Sequence, residues 1–507
     1  MAIPFHPIRG VKAGLKAAGR TMFGYHATTD KQRRTAPRSA TRSEDDQLDV
    51  SNRRKLIATT REARRNQTLL KWMVDSHLDF VTRFRFQPKT GDRDLDEQLE
   101  RLVNWRSRAK NWDATGRHYR DRYMRLMEAH RVIDGDVGNL LLGNGRIQGI
   151  EGDRIAKPTQ GMLPEPWSDT ERYSWTHGIN TTSEGRPTHY MISNRSGNGS
   201  TSMTFGKVVQ ARNMKLLGYW DRFDQLRGVS PLASAINTAA DLYETLEAAR
   251  VKAKVQAMFG IFIERETSAE NGDGFDYTDA DTGESPTSTT TDYDFELEPG
   301  LKLEGNPGDK ITTIESRSPS SEFQQFTELE SKIILLALGI PFTWLDSRRS
   351  SYSAMRQDMV RYMKTVEDKR ADLHEFLMEV SAWDIARWSQ LPDKENPSQP
   401  MLPLPAGMRP RDIAYEWVSD GIPWIDPLRE VQADALAVAN GFKTRDDVNR
   451  ERRGRRYIDT VEQLGREEQQ AIDASATIAI GQPGQITTRD EEEGNEANTG
   501  GADNADT

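Results

Sequence analysis

The sequence predicts a protein of the α+β class, and three observations support this. Apolar residues recur every three or four positions over several segments, which is typical of amphipathic helices. Short alternating runs such as Phe84-Arg85-Phe86, which ends before Pro88, are typical of strands. A helical apolar pattern then extends from Ser353 to Trp388, far longer than any strand.

Helices and strands alternate in the first half of the chain. The predicted elements are helices at 61–81, 95–105 and 119–127, and strands at 84–86, 140–142 and 147–151. The Asp134-Gly135 pair predicts the turn between the third helix and the strands. Short strand-like runs separated by Gly, Ser and Asn fill 170–225, so we expect 61–235 to form one α+β unit.

Long helices dominate the second half. The predicted elements are helices at 236–260, 321–339, 353–388 and 427–439, and strand candidates at 261–263, 297–303 and 310–314. The first of these helices carries a narrow, Ala-rich stripe, which favours close helix–helix packing. The side chains expected to pack the first two helices are Leu242, Leu246, Ala249, Ala253, Phe326, Leu329 and Ile333.

Composition and charge exclude several classes. The chain has 507 residues, which by length alone suggests about three domains, and it has no cysteine, which excludes disulfide scaffolds and thiol catalysis. The net charge of −9 disfavours a protein that wraps DNA with a basic surface. Charge is nevertheless uneven: we expect a flexible basic arm at 1–60, an acidic low-complexity loop at 267–293 and a disordered acidic tail at 474–507. The arm could alternatively form a basic amphipathic helix on a membrane surface.

The sequence carries no motif of an active site. A P-loop is missing, since Thr201 stands where the first glycine before Gly206-Lys207 should be. The eight histidines lack ligand spacing, so we expect no catalytic residue, no metal and no cofactor. Acidic residues at 276–284 could form a calcium loop or a solvated loop, and Asp134 and Asp136 could be paired carboxylates or part of a turn. We expect Trp72, Trp105 and Trp112 to lie in the core rather than to stack on bases.

Five segments in a fixed order carry a resemblance to a known family. They are Arg61–Asn66 with Phe84–Pro88, Asn111–Gly116 with Ile133–Val137, Gln225–Leu232, Leu335–Pro341 with Tyr352–Arg356, and Trp424–Asp434 with Gly441–Arg445. In these segments the chain resembles the portal proteins of tailed bacteriophages, of the lambda type. The resemblance covers most of 60–470, and the acidic loop at 267–293 departs from the family's pattern.

The resemblance implies a structural protein rather than an enzyme. It implies a ring, usually of twelve copies, at one vertex of a virion capsid that is assembled in the host cytoplasm. Double-stranded DNA would enter and leave through the ring, without any membrane. The implied partners are further copies of the chain, the terminase large subunit, head-completion or adaptor proteins, and the major capsid and scaffolding proteins.

The resemblance also divides the chain into the regions of a portal. The implied regions are a wing at 61–235, stem helices at 236–260 and 321–339, a clip at 261–320, a tunnel loop at 340–353, a long helix and wing return at 354–430, and a crown at 431–473. Two sets of site residues follow: DNA-facing Ser347, Arg348, Arg349, Ser350 and Ser351 in the tunnel loop, and partner-docking Glu296, Glu298, Lys302 and Lys310 in the clip.

Each implied site has an alternative. Arg348 and Arg349 could approach DNA phosphates, or they could be ordinary exposed or ion-paired arginines. The acidic clip segment could repel DNA, dock a basic partner, or be a solvated loop. For the whole chain, the competing function is a nucleic-acid-processing enzyme of the packaging machinery, which the missing P-loop and metal-ligand clusters disfavour.

Overall fold

A computed structural model describes residues 42–197, 202–258, 262–265, 309–312, 320–348, 351–394, 396–420 and 427–473. The predictions for the N-terminal arm up to residue 41, for the acidic loop and for the acidic tail lie outside these residues. The predicted α+β class is confirmed, because helices and antiparallel sheets both occur in the described residues.

Twelve helices occur in the described residues, apart from short 3₁₀ turns. They are α1 (Glu44–Gln47), α2 (Val50–Asn66), α3 (Thr68–Val81), α4 (Arg93–Arg106), α5 (Ala109–Trp112), α6 (Arg120–Asp134), α7 (Ile236–Met258), α8 (Ser321–Leu335), α9 (Tyr352–Trp388), α10 (Pro427–Ala439), α11 (Arg445–Arg453) and α12 (Tyr457–Asp473).

Eleven strands accompany these helices in the described residues. They are β1 (Phe84–Pro88), β2 (Asp136–Leu141), β3 (Ile147–Glu151), β4 (Trp175–Thr176), β5 (Ile179–Thr181), β6 (Pro187–Arg195), β7 (Met203–Gln210), β8 (Met214–Gly218), β9 (Phe262–Arg265), β10 (Asp309–Thr312) and β11 (Tyr415–Ser419). They form sheets in the orders β3-β2-β8, β4-β5-β6-β7, β1-β11 and β10-β9.

The chain divides into two compact units. The first comprises 1–78, 127–140 and 149–351, and the second comprises 79–126, 141–148 and 352–507. The segment 61–235, which the sequence analysis treats as one unit, is divided between these two units. The cause is long-range strand pairing. Strand β1 pairs antiparallel with β11, with Phe86 opposite Trp417, so β1 packs with the segment that follows α9.

The first unit begins earlier in the chain than the sequence indicates. Asp49 caps α2, its carboxylate accepting a hydrogen bond from the Asn52 backbone N–H at 2.8 Å. Leu56 and Ile57 of this helix are buried in the core of the unit. The predicted boundary of the flexible arm at residue 60 is thus wrong. Basic residues alternate with the apolar ones along α2, so its buried apolar face is difficult to recognise in the sequence.

The second unit is organised along the 37-residue helix α9. Its inner face buries Leu373, Phe376 and Val380, as the apolar periodicity predicts. The indole N–H of Trp417 donates to Ser381 Oγ at 2.9 Å, so the β1–β11 pair is joined to the helix by a buried polar contact as well as by packing.

The segments predicted to form the stem and the clip contain two helices and two strands among the described residues. Helices α7 and α8 lie side by side in the first unit. Strands β9 and β10 pair antiparallel, with Ile263 opposite Ile311. The predicted helix to residue 339 ends at Leu335 instead, and Gly339 adopts φ 70° in the turn that follows. The strand candidate at 297–303 lies outside the described residues.

Candidate functional site

Helix α8 carries two apolar faces on nearly opposite sides. Ile334 and Leu335 are buried within the first unit. Phe326, Leu329 and Ile333 are 48%, 55% and 47% exposed. Successive helical residues are separated by about 100°, which places these three on a single stripe away from the buried pair. Within the described residues this stripe is left about half exposed, and its predicted packing role stays a prediction.

The predicted stripe of α7 changes along the helix. Leu242 is buried, Leu246 and Ala249 are half-buried, and Ala253 is exposed. The first turns of α7 thus belong to the core of the unit, and the later turns present an Ala-containing surface. For the exposed positions, packing stays a prediction about neighbouring copies of the chain.

The tunnel-loop arginines are only partly described. Arg349 and Ser350 lie outside the described residues, while Ser347, Arg348 and Ser351 lie inside them. Arg348 Nε and Nη2 donate to the two carboxylate oxygens of Asp346 at 2.9 and 2.8 Å. These hydrogen bonds raise the pKa of Arg348, whose side chain is 85% exposed. Its predicted approach to DNA stays a prediction, and any phosphate has to compete with Asp346.

Of the predicted clip-docking residues, only Lys310 lies within the described backbone. It occupies β10 opposite Glu264 of β9. Glu296, Glu298 and Lys302 lie outside the described residues. Docking through the clip remains a prediction.

Sequence reasoning missed a buried charge cluster at the start of β2. Asp136 accepts hydrogen bonds from Arg227 Nε and Nη2 and from the Gly228 backbone N–H, at 2.7, 2.8 and 2.9 Å. Arg53 Nη2 lies 3.0 Å from the same carboxylate. Burial and the neighbouring Arg227 lower the pKa of Arg53 to about 10. The carboxylate is structural, because every polar contact it makes joins strand β2 to other segments of the same unit.

Asp134, the other carboxylate of the Asp-Gly turn, is also structural. Arg61 Nη2 lies 2.6 Å from its Oδ2 and 3.0 Å from Glu151 Oε2. His130, Asp134 and Glu151 have ligand atoms within 4.8 Å of one another, a spacing that could suit a metal ion. The Arg61 guanidinium already supplies the positive charge between these carboxylates. The turn interpretation is confirmed by Gly135, which adopts φ 92° between α6 and β2.

A second buried cluster surrounds Glu128 in the first unit. Arg131 Nε donates to its Oε2 at 2.7 Å, and the Tyr219 hydroxyl donates to its Oε1 at 2.8 Å. His77 Nε2 lies 2.9 Å from Oε1. Burial alone would raise the pKa of Glu128, but Arg131 and His77 outweigh it and lower the pKa to about 2. Glu128 is held as a charged structural anchor.

In the second unit, a third cluster joins the long helix to the predicted crown. Glu430 and Asp434 of α10 are buried and face Arg452, whose Nη1 and Nε donate to them at 2.7 and 2.8 Å. Arg356 of α9 also donates to Glu430. Ion pairs with two arginines thus hold α10 against α9 and α11.

The remaining motif interpretations are tested in part. Gly206 lies inside strand β7, paired with β6, so this segment is not a phosphate-binding loop. Trp112 is buried as expected, but Trp105 is 37% exposed, so its placement in the core is wrong.

The candidate calcium loop at 276–284 lies outside the described residues. No described helix is both long enough and apolar enough to cross a bilayer.

Comparison with known proteins gives one decisive match. The family "Phage portal protein, lambda family" matches residues 31–370, most of the chain. The chain belongs to the lambda family of phage portal proteins, so the resemblance seen in the sequence is confirmed. This is a family of structural proteins and not of enzymes, and membership makes the protein a component of a phage-type particle.

Three solved structures show a distant likeness. The virion of a native gene transfer agent particle matches at 14% identity and TM-score 0.40, covering 78% of this chain and 92% of that chain. The neck of the empty particle, computed with C6 symmetry, matches at 14% identity and TM-score 0.41 with the same coverage. The neck of the native particle, computed with C12 symmetry, matches at 13% identity and TM-score 0.41, again covering 78% and 92%. No curated protein sequence matches the chain significantly.

Proposed function

We propose that this protein forms the ring-shaped portal at one capsid vertex, through which double-stranded DNA is packaged and later ejected. The ring is made of copies of this chain, with twelve as the expected number. Its further roles are to dock the packaging terminase and the head-completion proteins. Family membership supports the portal role, and the subunit surface supports assembly into a ring.

The observation that carries this proposal is the exposed apolar stripe of α8. Phe326, Leu329 and Ile333 follow one another along one face of the helix, and each stays about half exposed in the described structure. Covering each half-exposed side chain contributes roughly 1 kcal/mol, so one stripe contributes several kcal/mol to each contact between subunits. In a ring every subunit repeats the same contact, and the stripe is buried in every copy.

Charge supports a conduit that does not hold its DNA. Each subunit carries a net charge of −9, so a ring multiplies a negative total. Phosphate contacts with cations add affinity for DNA, and a predominantly acidic wall limits such contacts. In the buried clusters of the first unit, the carboxylates of Glu128, Asp134 and Asp136 are each paired with an arginine, as structural carboxylates are. We therefore propose a structural role without catalysis.

The test is assembly of the full-length protein, followed by analytical ultracentrifugation and negative-stain electron microscopy. The wild type should sediment as a large oligomer and show rings with a central hole. Leu329→Glu should abolish the rings, because it places a carboxylate in the stripe. Gln324→Glu is the matched control, since it adds the same charge at an exposed polar position of α8 and should leave the rings intact.

Two results would contradict the proposal. One is a wild-type protein that remains a stable monomer at micromolar concentration. The other is hydrolysis of ATP or of DNA by the purified protein, which would favour the competing nucleic-acid enzyme. Rings in the Leu329→Glu variant would separately show that assembly does not depend on the α8 stripe.

A further inference from the structure

A basic cleft in the second unit shares Arg452 with the Glu430 cluster, and its other lining residues belong to none of the clusters described so far. Its volume is about 790 Å³. Six arginines line it: Arg83, Arg85, Arg370, Arg452, Arg453 and Arg455. The acidic side chains of its lining are Asp79 and Asp420. The net charge of the chain is −9, so this cluster of arginines is a locally positive region on a negatively charged protein.

The two acidic side chains do not neutralise the cleft. Asp79 accepts a hydrogen bond from Arg125, which lies outside the lining, at 2.6 Å. Asp420 is shared by two arginines, with Arg85 Nε at 3.1 Å and Arg83 Nη1 at 4.0 Å. One carboxylate thus serves two guanidinium groups, which leaves a positive charge in excess.

Arg370 adds a cation whose hydrogen bonds go to neutral groups. Its guanidinium donates to the carbonyl oxygen of Phe80 at 2.8 Å and to Ser419 Oγ at 3.2 Å. Burial lowers the pKa of Arg370, since the site withdraws the charge from water without a hydrogen-bonded carboxylate. Arg452, by contrast, is satisfied by Glu430 and Asp434 of the predicted crown.

Arg453 and Arg455 are the cations best placed to bind a ligand. Both are exposed, and neither makes an ion pair or a side-chain hydrogen bond with any residue that the structure describes. They flank Gly454, which ends α11 with φ 61°. The buried Gln87 side chain donates to the Gly454 carbonyl at 3.0 Å, and Arg456 Nη1 donates to the Pro88 carbonyl at 3.0 Å. The backbone that carries the two arginines is therefore fixed to strand β1, while their guanidinium groups remain available.

We propose that this cleft binds the phosphate backbone of double-stranded DNA. The cations come from β1, α9 and the α11–α12 junction, so they suit a ligand with several anionic groups better than a single ion. All of them are arginines, whose planar donors match phosphate oxygens in pairs. The choice of DNA as the polyanion rests on the proposed portal function.

The experiment measures binding of a fluorescein-labelled, mixed-sequence 24-base-pair duplex to the full-length protein by fluorescence anisotropy over a series of NaCl concentrations. Arg453→Gln/Arg455→Gln should weaken binding about tenfold or more and should lower the slope of log affinity against log salt by about 2. Arg108→Gln/Arg117→Gln is the matched control. It removes two exposed arginines of the same unit that do not line the cleft and should change neither quantity.

Three results would overturn the assignment. The first is equal DNA binding by the cleft variant and the wild type. The second is displacement of the duplex by sodium phosphate beyond the effect of NaCl at equal ionic strength, which would assign the cleft to free phosphate. The third is tighter binding of a poly-glutamate peptide than of the duplex, which would assign it to an acidic protein segment.

Negative-stain images of the same samples separate this inference from the proposed function. Intact rings with unchanged DNA binding in the cleft variant would reject the cleft and leave the portal proposal standing. Loss of DNA binding in the cleft variant supports the cleft, even if the wild type forms no rings and the portal proposal fails.

Discussion

Arg227 and Asp136 are 91 residues apart in sequence and form a buried bidentate ion pair, with N–O distances of 2.7 and 2.8 Å. Arg227 also donates to the carbonyls of Gly152 and His177 at 2.6 and 2.9 Å. One guanidinium thus joins the start of β2 to two other segments of the first unit. The pair is buried, so water cannot replace a partner that is removed. Without Arg227, Asp136 would keep Arg53 and the Gly228 N–H as neighbours but would lose its bidentate ion pair.

We expect Arg227→Gln to lower the free energy of unfolding by about 3–5 kcal/mol, since it leaves the carboxylate of Asp136 without its bidentate partner. Arg227→Lys should also be clearly destabilising, because an ammonium group cannot reproduce the planar fork. Urea unfolding followed by tryptophan fluorescence measures both. Arg186→Gln, at an exposed position of the same unit, should stay within about 0.5 kcal/mol of the wild type. An Arg227→Gln variant with the wild-type midpoint would contradict this account.

The close contact of Gly135 and Gly228 gives a second prediction. A Cβ on Gly228 would lie 2.2 Å from the Gly135 carbonyl oxygen, an impossible distance, and the obstacle is backbone rather than a movable side chain. Gly228→Ala should therefore cost about 3 kcal/mol of stability. Gly143→Ala, where nothing lies within 4 Å of the added Cβ, is the control. Equal thermal midpoints for the two variants would show that the backbones can separate at little cost.

These two relationships show what the sequence could and could not predict. The Asp134-Gly135 turn and the helix at 352–388 were predictable, because each depends on a local pattern. Arg227 and Asp136 look like ordinary surface charges in the sequence, since nothing local indicates that they meet. The pairing of β1 with β11 escaped prediction for the same reason: the register of distant strands is set by tertiary packing.

Helix α8 shows another limit. Its apolar positions were predictable, but the sequence does not reveal that Ile334 faces the core while Leu329 and Ile333 face outward. Both faces have helical period, and only the position of neighbouring elements distinguishes them. For the candidate site, the sequence could therefore predict helices at 236–260 and 321–339, but not which apolar face of α8 stays exposed.

The Glu128 cluster predicts how stability depends on pH. The pKa of Glu128 is about 2 in the folded protein, whereas the ordinary pKa of 4.5 applies in the unfolded chain. As pH falls, Glu128 therefore binds a proton in the unfolded chain before it does so in the folded protein. The stabilisation is fully present above about pH 4.5 and is lost as pH falls toward 2, a total of roughly 3 kcal/mol. Urea unfolding at a series of pH values measures this loss.

Glu128→Gln provides the comparison for that titration. It should be less stable than the wild type at pH 7, because Arg131 loses its buried partner. Its stability should nevertheless fall less between pH 4.5 and pH 2, because the group that titrates there has been removed. Parallel pH profiles for the two proteins would show that Glu128 is not responsible for the acid sensitivity.

The contact between Arg348 and Asp346 predicts opposite effects for two changes in the tunnel loop. Arg348→Ala/Arg349→Ala should reduce packaging or retention of DNA while rings still assemble, since it removes the cations proposed to approach phosphates. Asp346→Asn should increase retention, because it removes the carboxylate that accepts both hydrogen bonds from Arg348. The fraction of DNA-filled particles, counted after packaging and after a fixed interval, measures both effects.

The control for charge alone is Arg108→Ala/Arg117→Ala, two exposed arginines of the second unit, outside the loop. It should leave packaging and retention unchanged, so a shared loss in both double variants would indicate a general electrostatic effect. Normal packaging and retention in Arg348→Ala/Arg349→Ala would reject a DNA contact at this loop. The increase in DNA retention expected for Asp346→Asn is the sharper criterion. Disruption of the loop's fold would lower retention in every variant. Release of Arg348 from Asp346 should instead raise retention.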